Sequence, residues 1–231
     1  ACAAAAVRRP LAPAAAEAFA SYLAARPEWP EAAEVHPMES ALERKAVIDF
    51  AAAAPGRAEG ALDAAFGYGR GLPPRGSPDV ASAAAALAKL TSVLPAALAD
   101  VVAGDAAELL GALWARTGYP RFIVRVELLR GDTCKKWHHD RNIARCLVTY
   151  VGPGTLCAHE RGVARDDHGC VMSVREDAAV QMVVGDVLLL KGALWEGSRG
   201  LGTAHRSPII GPIHACEDHR LMLKVDVCEG V

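Results

Sequence analysis

The sequence predicts an α+β chain, with a helical N-terminal half packed on a C-terminal antiparallel β barrel. Three observations carry that prediction. Residues up to Gly118 are dominated by strong helix formers, alanine above all, punctuated by Gly/Pro-rich segments. Past Pro120 the texture changes to short runs of β-branched and aromatic residues mixed with charged ones. No helical run separates those strands, which argues against βαβ units. The chain therefore divides into residues 1–118, a helical region not required to fold alone, and residues 119–231, the barrel.

Taken in order, "LAPAAAEAFASYLAA" reads as a helix after Pro13, with Leu11, Ala15, Phe19 and Leu23 roughly on one stripe. "MESALERKAVIDFAAAA" reads as a second helix with a broad, imperfect apolar face of Leu42, Val47, Ile48 and Phe50. Segment 69–79, "GRGLPPRGSPD", is a loop. It leads into "VASAAAALAKLTSVLPAALADVV", helical with an interruption at Pro95, and a last helix ends at Gly118. "RFIVRVELLR", "IARCLVTYVG" and "HRLMLKVDV" read as strands, and "AAVQMVVGDVLLLKG" as two strands meeting at Gly185-Asp186. Shorter strands are expected near Thr155–His159 and Thr203–Ile209. In the closing strand, Arg220, Met222, Lys224 and Asp226 share one face and Leu221, Leu223, Val225 and Val227 the other.

Composition narrows the function. A chain of 231 residues with 52% hydrophobic content can fill one sizeable core, and a formal net charge of -2 excludes a disordered polyelectrolyte. There is no excess of Lys and Arg for general nucleic-acid binding, and no apolar run long enough to span a membrane. The seven cysteines include no CxxC pair, so they suit buried small side chains in a reducing compartment. Cys170, beside His168 in "DDHGC", is the one candidate for reactivity or metal binding. An intracellular protein is expected, in the cytoplasm or, if the source is an alga, the plastid stroma. The start "ACAAAAVRRPLAP" lacks Met and reads as a processed or trimmed N-terminus.

The chemistry concentrates in the C-terminal half. His138 and Asp140 are two apart, so an extended chain points both side chains the same way and His139 the other. A third ligand must come from a distant segment, and His205 in "GTAHRSP" is the natural candidate. Two imidazoles and one carboxylate form the facial set that suits non-haem Fe(II), although zinc or manganese tolerates the same atoms. Arg220, at the start of the last strand, could clamp a carboxylate. Arg145 and Arg206 are rivals, and Tyr150 or Thr149 could add a hydrogen bond. "GPGT" at 152–155 lacks the phosphate-cradle order and reads as a sharp strand connection.

The order HxD, distal His, then Arg on the final strand resembles the 2-oxoglutarate/Fe(II)-dependent oxygenases of the double-stranded β-helix (jelly-roll, cupin-like) fold. By that resemblance, His138, Asp140 and His205 hold iron and Arg220 binds the far carboxylate of 2-oxoglutarate. The strings "HHDRNIARCLVTYVGPGT", "GDVLLLKGALW", "HRSP" and "RLMLKVD" more closely resemble an uncharacterised domain family of bacteria and algae, over about Arg121 to Val227. Together these imply a 2-oxoglutarate-dependent hydroxylase-type enzyme acting on an unspecified small molecule or protein, with the N-terminal helices as a lid or a docking face for a protein partner. Two alternatives use the same residues: a metal-binding or assembly module without turnover, and a structural subunit with a degenerate site.

Overall fold

The structure, a computed structural model, describes residues 4–25, 33–36, 41–49, 79–130, 134–209 and 219–228. The N-terminal part contributes β1 (Ala4–Val7), α1 (Pro13–Ala24), β2 (Ala33–His36), β3 (Ala41–Asp49), α2 (Val80–Thr91) and α3 (Ala96–Thr117). Long strands follow: β4 (Arg121–Arg130), β5 (Ala144–Val151), β10 (Val187–Lys191) and β12 (His219–Cys228). Between them lie short ones: β6 (Leu156–Ala158), β7 (Val163–Arg165), β8 (Val171–Val174), β9 (Ala179–Gln181) and β11 (His205–Arg206).

Seven strands form one sheet in the order β1-β10-β5-β12-β4-β3-β2, every pair antiparallel. A second sheet has the order β11-β6-β9, and β7 pairs with β8 as a ribbon. The turn at Gly185, with φ of 87°, therefore does not close a hairpin. It passes the chain from β9 in the small sheet to β10 in the large one, which is how two facing layers come to share strands.

Period-2 alternation gives the large sheet two different faces. Phe122, Val124, Val126 and Leu128 of β4, Val148 of β5 and Leu221, Leu223 and Val225 of β12 are fully buried on one face, against α1, α2 and α3. Burying a side chain of this size contributes about 1.5–3 kcal/mol. On the other face Leu129, Leu147, Leu188, Leu190 and Met222 meet Cys157 and Met182 from the small sheet and its flank, forming a second, smaller core. The described architecture is thus mostly antiparallel sheet in two layers, with three helices covering the outer face of the larger layer.

The helices start and stop for local reasons. Pro13 opens α1, Asp79 caps α2 by accepting from the Ser82 amide at 3.0 Å, and Pro95 separates α2 from α3. Gly118 ends α3 in the left-handed conformation, φ 69°.

The expectation of a helical N-terminal half needs correction. Residues 41–49, read from sequence as part of a helix, are strand β3, paired with β4 from Ala41↔Leu129 to Asp49↔Arg121. Ala46 and Ile48 face the core under the helices, whereas Val47 is exposed. Cross-strand ion pairs join Glu43 to Arg125 at 3.2 Å and Asp49 to Arg121 at 2.6 Å. Helix propensity yields here to the open edge of β4, which offers nine residues a full ladder of backbone partners. β1 and β2 join the same sheet, so strands from both halves of the chain build one layer. The loop at 69–78 lies outside the described residues.

Candidate metal centre

The site forms where the segment after β4 meets β11. His138 and His205 make a two-bonded antiparallel bridge: the His138 amide donates to the His205 carbonyl at 3.0 Å, and the His205 amide returns a bond at 2.8 Å. Directly opposed residues of such a pair project to the same side. The two imidazole centroids are accordingly 4.4 Å apart. Asp140, two residues on, joins them: its carboxylate oxygens lie 3.4 Å from His205 Nε2 and 4.0 Å from His138 Nε2. One ligand atom from each residue falls within 4.8 Å of the other two. Donors bound at about 2.0–2.2 Å from one cation sit about 3 Å apart, so the set is somewhat wider than a bound ion would hold it.

Hydrogen bonds select the tautomers. His138 Nδ1 faces the Lys136 carbonyl at 2.9 Å, and His205 Nδ1 faces the Thr203 carbonyl at 2.9 Å. A carbonyl only accepts, so each Nδ1 carries the proton and each Nε2 keeps its lone pair for a metal. Burial pushes His205 down to about 4, which keeps it neutral at physiological pH. His139 is the opposite case. Its Nδ1 lies 3.1 Å from Arg165 Nη1, which only donates, so Nδ1 accepts and the proton sits on Nε2. Arg165 also donates to Glu160, to the Gly169 carbonyl and, at 2.8 Å, to the Gly202 carbonyl, which precedes the residue orienting His205. Sequence reasoning missed this brace, and nothing local in "VARDD" marks it.

Asp140 is fixed by Arg145, whose Nη1 donates at 2.7 Å. Arg145 also forks onto Asp226, with Nε at 2.6 Å and Nη2 at 3.3 Å. Asp226 further accepts from Asn142 at 3.1 Å and pairs with Arg125. Burial alone drives Arg145 down, but Asp226 and Asp140 more than offset it and hold the guanidinium above its ordinary value. The Ala193 amide donates to the Asp140 carbonyl at 2.8 Å, and a Cβ on Gly192 would come within 1.9 Å of the Asn142 oxygen. The "KGALW" segment thus clamps the ligand loop from outside.

Arg220 stands on the inner face of β12, 1% exposed. Its Nη2 donates to Thr155 Oγ1 at 3.1 Å and to Thr149 Oγ1 at 3.4 Å, while Nε has no partner. Among the described residues no carboxylate pairs with it, and burial pushes it down to about 10. Thr155 lies two residues before Cys157, the cross-strand partner of His205, so this cation is set along the small sheet from the triad. The "GPGT" turn wraps it: a Cβ on Gly152, where φ is 83°, would lie 2.8 Å from Arg220 Cγ.

Two other expected contacts are corrected. Arg145 is consumed by its two aspartates and is not available to clamp a cosubstrate. Tyr150 points to the helical face, stacked on Phe19 with centroids 4.8 Å apart and donating to Asp105 at 2.7 Å. Thr149, its neighbour, is the residue that faces inward. Arg206 packs over the Trp137 ring at 5.1 Å. His168 and Cys170 are exposed on a turn organised by Asp166, while Cys146 and Cys157 are buried. His214 and Cys216 lie outside the described residues.

Antiparallel layers here carry a His-Asp-His cluster whose ligand atoms could hold a metal ion, and sequence comparison gives the family. The chain belongs to the family described as "Protein of unknown function (DUF1826)", whose model matches residues 71–226, more than half of its length. No curated protein matches it in sequence. Among solved structures, the chain is similar to a prolyl-4-hydroxylase from Pseudomonas putida, at 12% identity and TM-score 0.46, covering 99% of this chain and 94% of that one. A candidate oxygenase from Shewanella oneidensis has 14% identity, TM-score 0.45, and coverage of 98% and 82%. Oxalate decarboxylase from Bacillus subtilis has 10% identity and TM-score 0.29, covering 48% of this chain and 22% of that one.

Proposed function

We propose that this protein is a 2-oxoglutarate- and Fe(II)-dependent oxygenase of the double-stranded β-helix class. The observation that carries the proposal is the convergence of His138, Asp140 and His205 from segments 65 residues apart in sequence, with both imidazoles fixed as Nε2 donors. Two neutral imidazoles and one carboxylate on a single side leave the other positions of an octahedral ion open, the arrangement that suits non-haem Fe(II). Bound there, iron and 2-oxoglutarate would supply oxygen activation.

The protein's own part is binding and orientation. Arg145 holds the Asp140 carboxylate, and the Lys136 and Thr203 carbonyls hold the two rings. Arg220 offers a buried cation flanked by two hydroxyls, a receptor for the distal carboxylate of a keto diacid. On the same inner face as Arg220, Leu147, Leu188, Leu190 and Met222 form the second apolar core. A module that only stored metal would have no use for the buried Arg220, which pairs with no carboxylate among the described residues.

The ligand set is tested by equilibrium dialysis of Fe(II) or Zn(II) against single variants. H138A and H205A should each lower metal affinity at least about 100-fold, and H139A should leave it within about threefold. Metal retained by H205A would refute the triad.

A further inference from the structure

Arg165, on β7, places each of its five N–H groups on a protein acceptor. Nε and Nη2 fork onto Glu160 at 2.8 and 3.0 Å, and Nη1 donates to the Gly169 carbonyl at 2.9 Å. Those bonds seat a side chain that is only 9% exposed. From that seat Nη1 also donates to His139 Nδ1 at 3.1 Å, and Nη2 donates to the Gly202 carbonyl at 2.8 Å.

The last contact bears on the metal centre. The Gly202 carbonyl and the Thr203 amide belong to one peptide unit, and the amide donates to the Lys191 carbonyl of β10 at 2.7 Å. The plane of that peptide is therefore held at both ends, by a guanidinium on one side and by the large sheet on the other. The next carbonyl along, that of Thr203, lies 2.9 Å from His205 Nδ1 and fixes the ring. The His205 segment meets the segment of His138 through a single isolated bridge, and one rung leaves the ring's aim to its local backbone. Gly202 suits the close approach this needs, since a Cβ there would lie 3.1 Å from His139 Cβ.

We infer that Arg165 is a positioning residue for the metal centre, aiming His205 Nε2 by fixing the Gly202–Thr203 peptide from its seat on Glu160. This rests on the proposed metal site but not on turnover or on 2-oxoglutarate. Lysine is a poor substitute, because a single ammonium lacks the planar fork that reaches Gly202 while seated on Glu160.

Cobalt(II) tests this without any reaction, because its visible d–d bands report both occupancy and ligand geometry. R165Q should bind cobalt at least about tenfold more weakly than wild type, with altered bands, the usual scale for loss of a group that orients a metal ligand. H139A leaves Arg165 seated on Glu160 and Gly169 and should stay within about threefold of wild type. Leu109 is buried on the helical face of the large sheet, so L109A lowers stability without touching the His205 segment. Titrated well below its melting temperature, L109A should keep wild-type bands and affinity within about threefold. R165Q with wild-type bands and affinity overturns the inference and leaves the metal site standing. A loss in L109A or H139A equal to that in R165Q also overturns it, by assigning the effect to general destabilisation or to His139. If R165Q does not fold, R165K decides: weaker binding with altered bands supports the role, and wild-type values overturn it. Wild-type protein that takes up no cobalt overturns the metal site and this inference together.

Discussion

His138 and His139 are identical side chains on adjacent residues, and what separates them is the atom opposite Nδ1. A carbonyl opposite Nδ1 leaves His138 Nε2 as the free ring nitrogen, and a guanidinium makes His139 an Nε2–H donor. The sequence singled out His138 only through spacing, because His138 and Asp140 share a side of an extended segment, and the structure groups His138 with Asp140 and His205. Arg165, the residue that enforces the difference, lies 26 positions away from His139 and was not legible. Arg220 makes a second prediction at this scale. R220M should bind metal as wild type does but weaken 2-oxoglutarate binding at least about tenfold, measured by calorimetry with Fe(II) under anaerobic conditions. Its thermal stability should hold or rise, since methionine replaces a buried cation that has no carboxylate partner among the described residues by an apolar chain of similar reach.

Asp226 gives the pH dependence. Burial pushes its carboxyl up, but Arg145 and Arg125 more than offset this, so it titrates below its ordinary value in the folded state. A depressed carboxyl contributes stability above the unfolded pKa of about 3.9 and loses it as pH falls through the folded value. Chemical denaturation between pH 7 and 3 should therefore show stability falling below about pH 4. D226N should flatten that limb and cost about 3–5 kcal/mol at neutral pH, because two arginines lose their shared acid.

Among elements, β12 was the most legible. Its two faces follow directly from "HRLMLKVDV", with Leu221, Leu223 and Val225 under the helices and Arg220, Met222 and Asp226 inward. β5 obeys the same alternation, yet Tyr150 was misplaced, because the sequence of one strand does not say which face the helices will cover. β3 was misread for a different reason: its alanine and lysine content favours a helix in isolation, and only the partner edge of β4 makes it a strand. The turn between β5 and β6 is where backbone geometry reaches the site. G152A should destabilise the protein by about 2–4 kcal/mol, because it adds strain at positive φ and a contact of 2.4 Å with the His219 carbonyl. G197A, also at positive φ but with nothing within 4 Å, should cost only about 1 kcal/mol. Denaturant midpoints of the two variants compare the effects directly.

At the scale of the whole molecule, the large sheet has two uses. One face is sealed by α1, α2 and α3, and the other meets the small sheet through the second core. The sequence changes texture at Pro120, but β1 and β3, from the part read as helical, flank β10 and β4 in the large sheet. Residues 119–231 expressed alone should therefore aggregate or lack a cooperative melt, since β4 would lose its partner strand and its face would lose the helices. No helix among the described residues is long and apolar enough to cross a membrane.

The most direct test of the account is an anaerobic titration of the apo-protein with Fe(II) and then 2-oxoglutarate, followed in the visible range. The account predicts a weak metal-to-ligand charge-transfer band in the wild type, absent from H138A and H205A, present in H139A, and requiring much higher 2-oxoglutarate in R220M. No band in the wild type at saturating iron and 2-oxoglutarate, or an undiminished band in H205A, would contradict it.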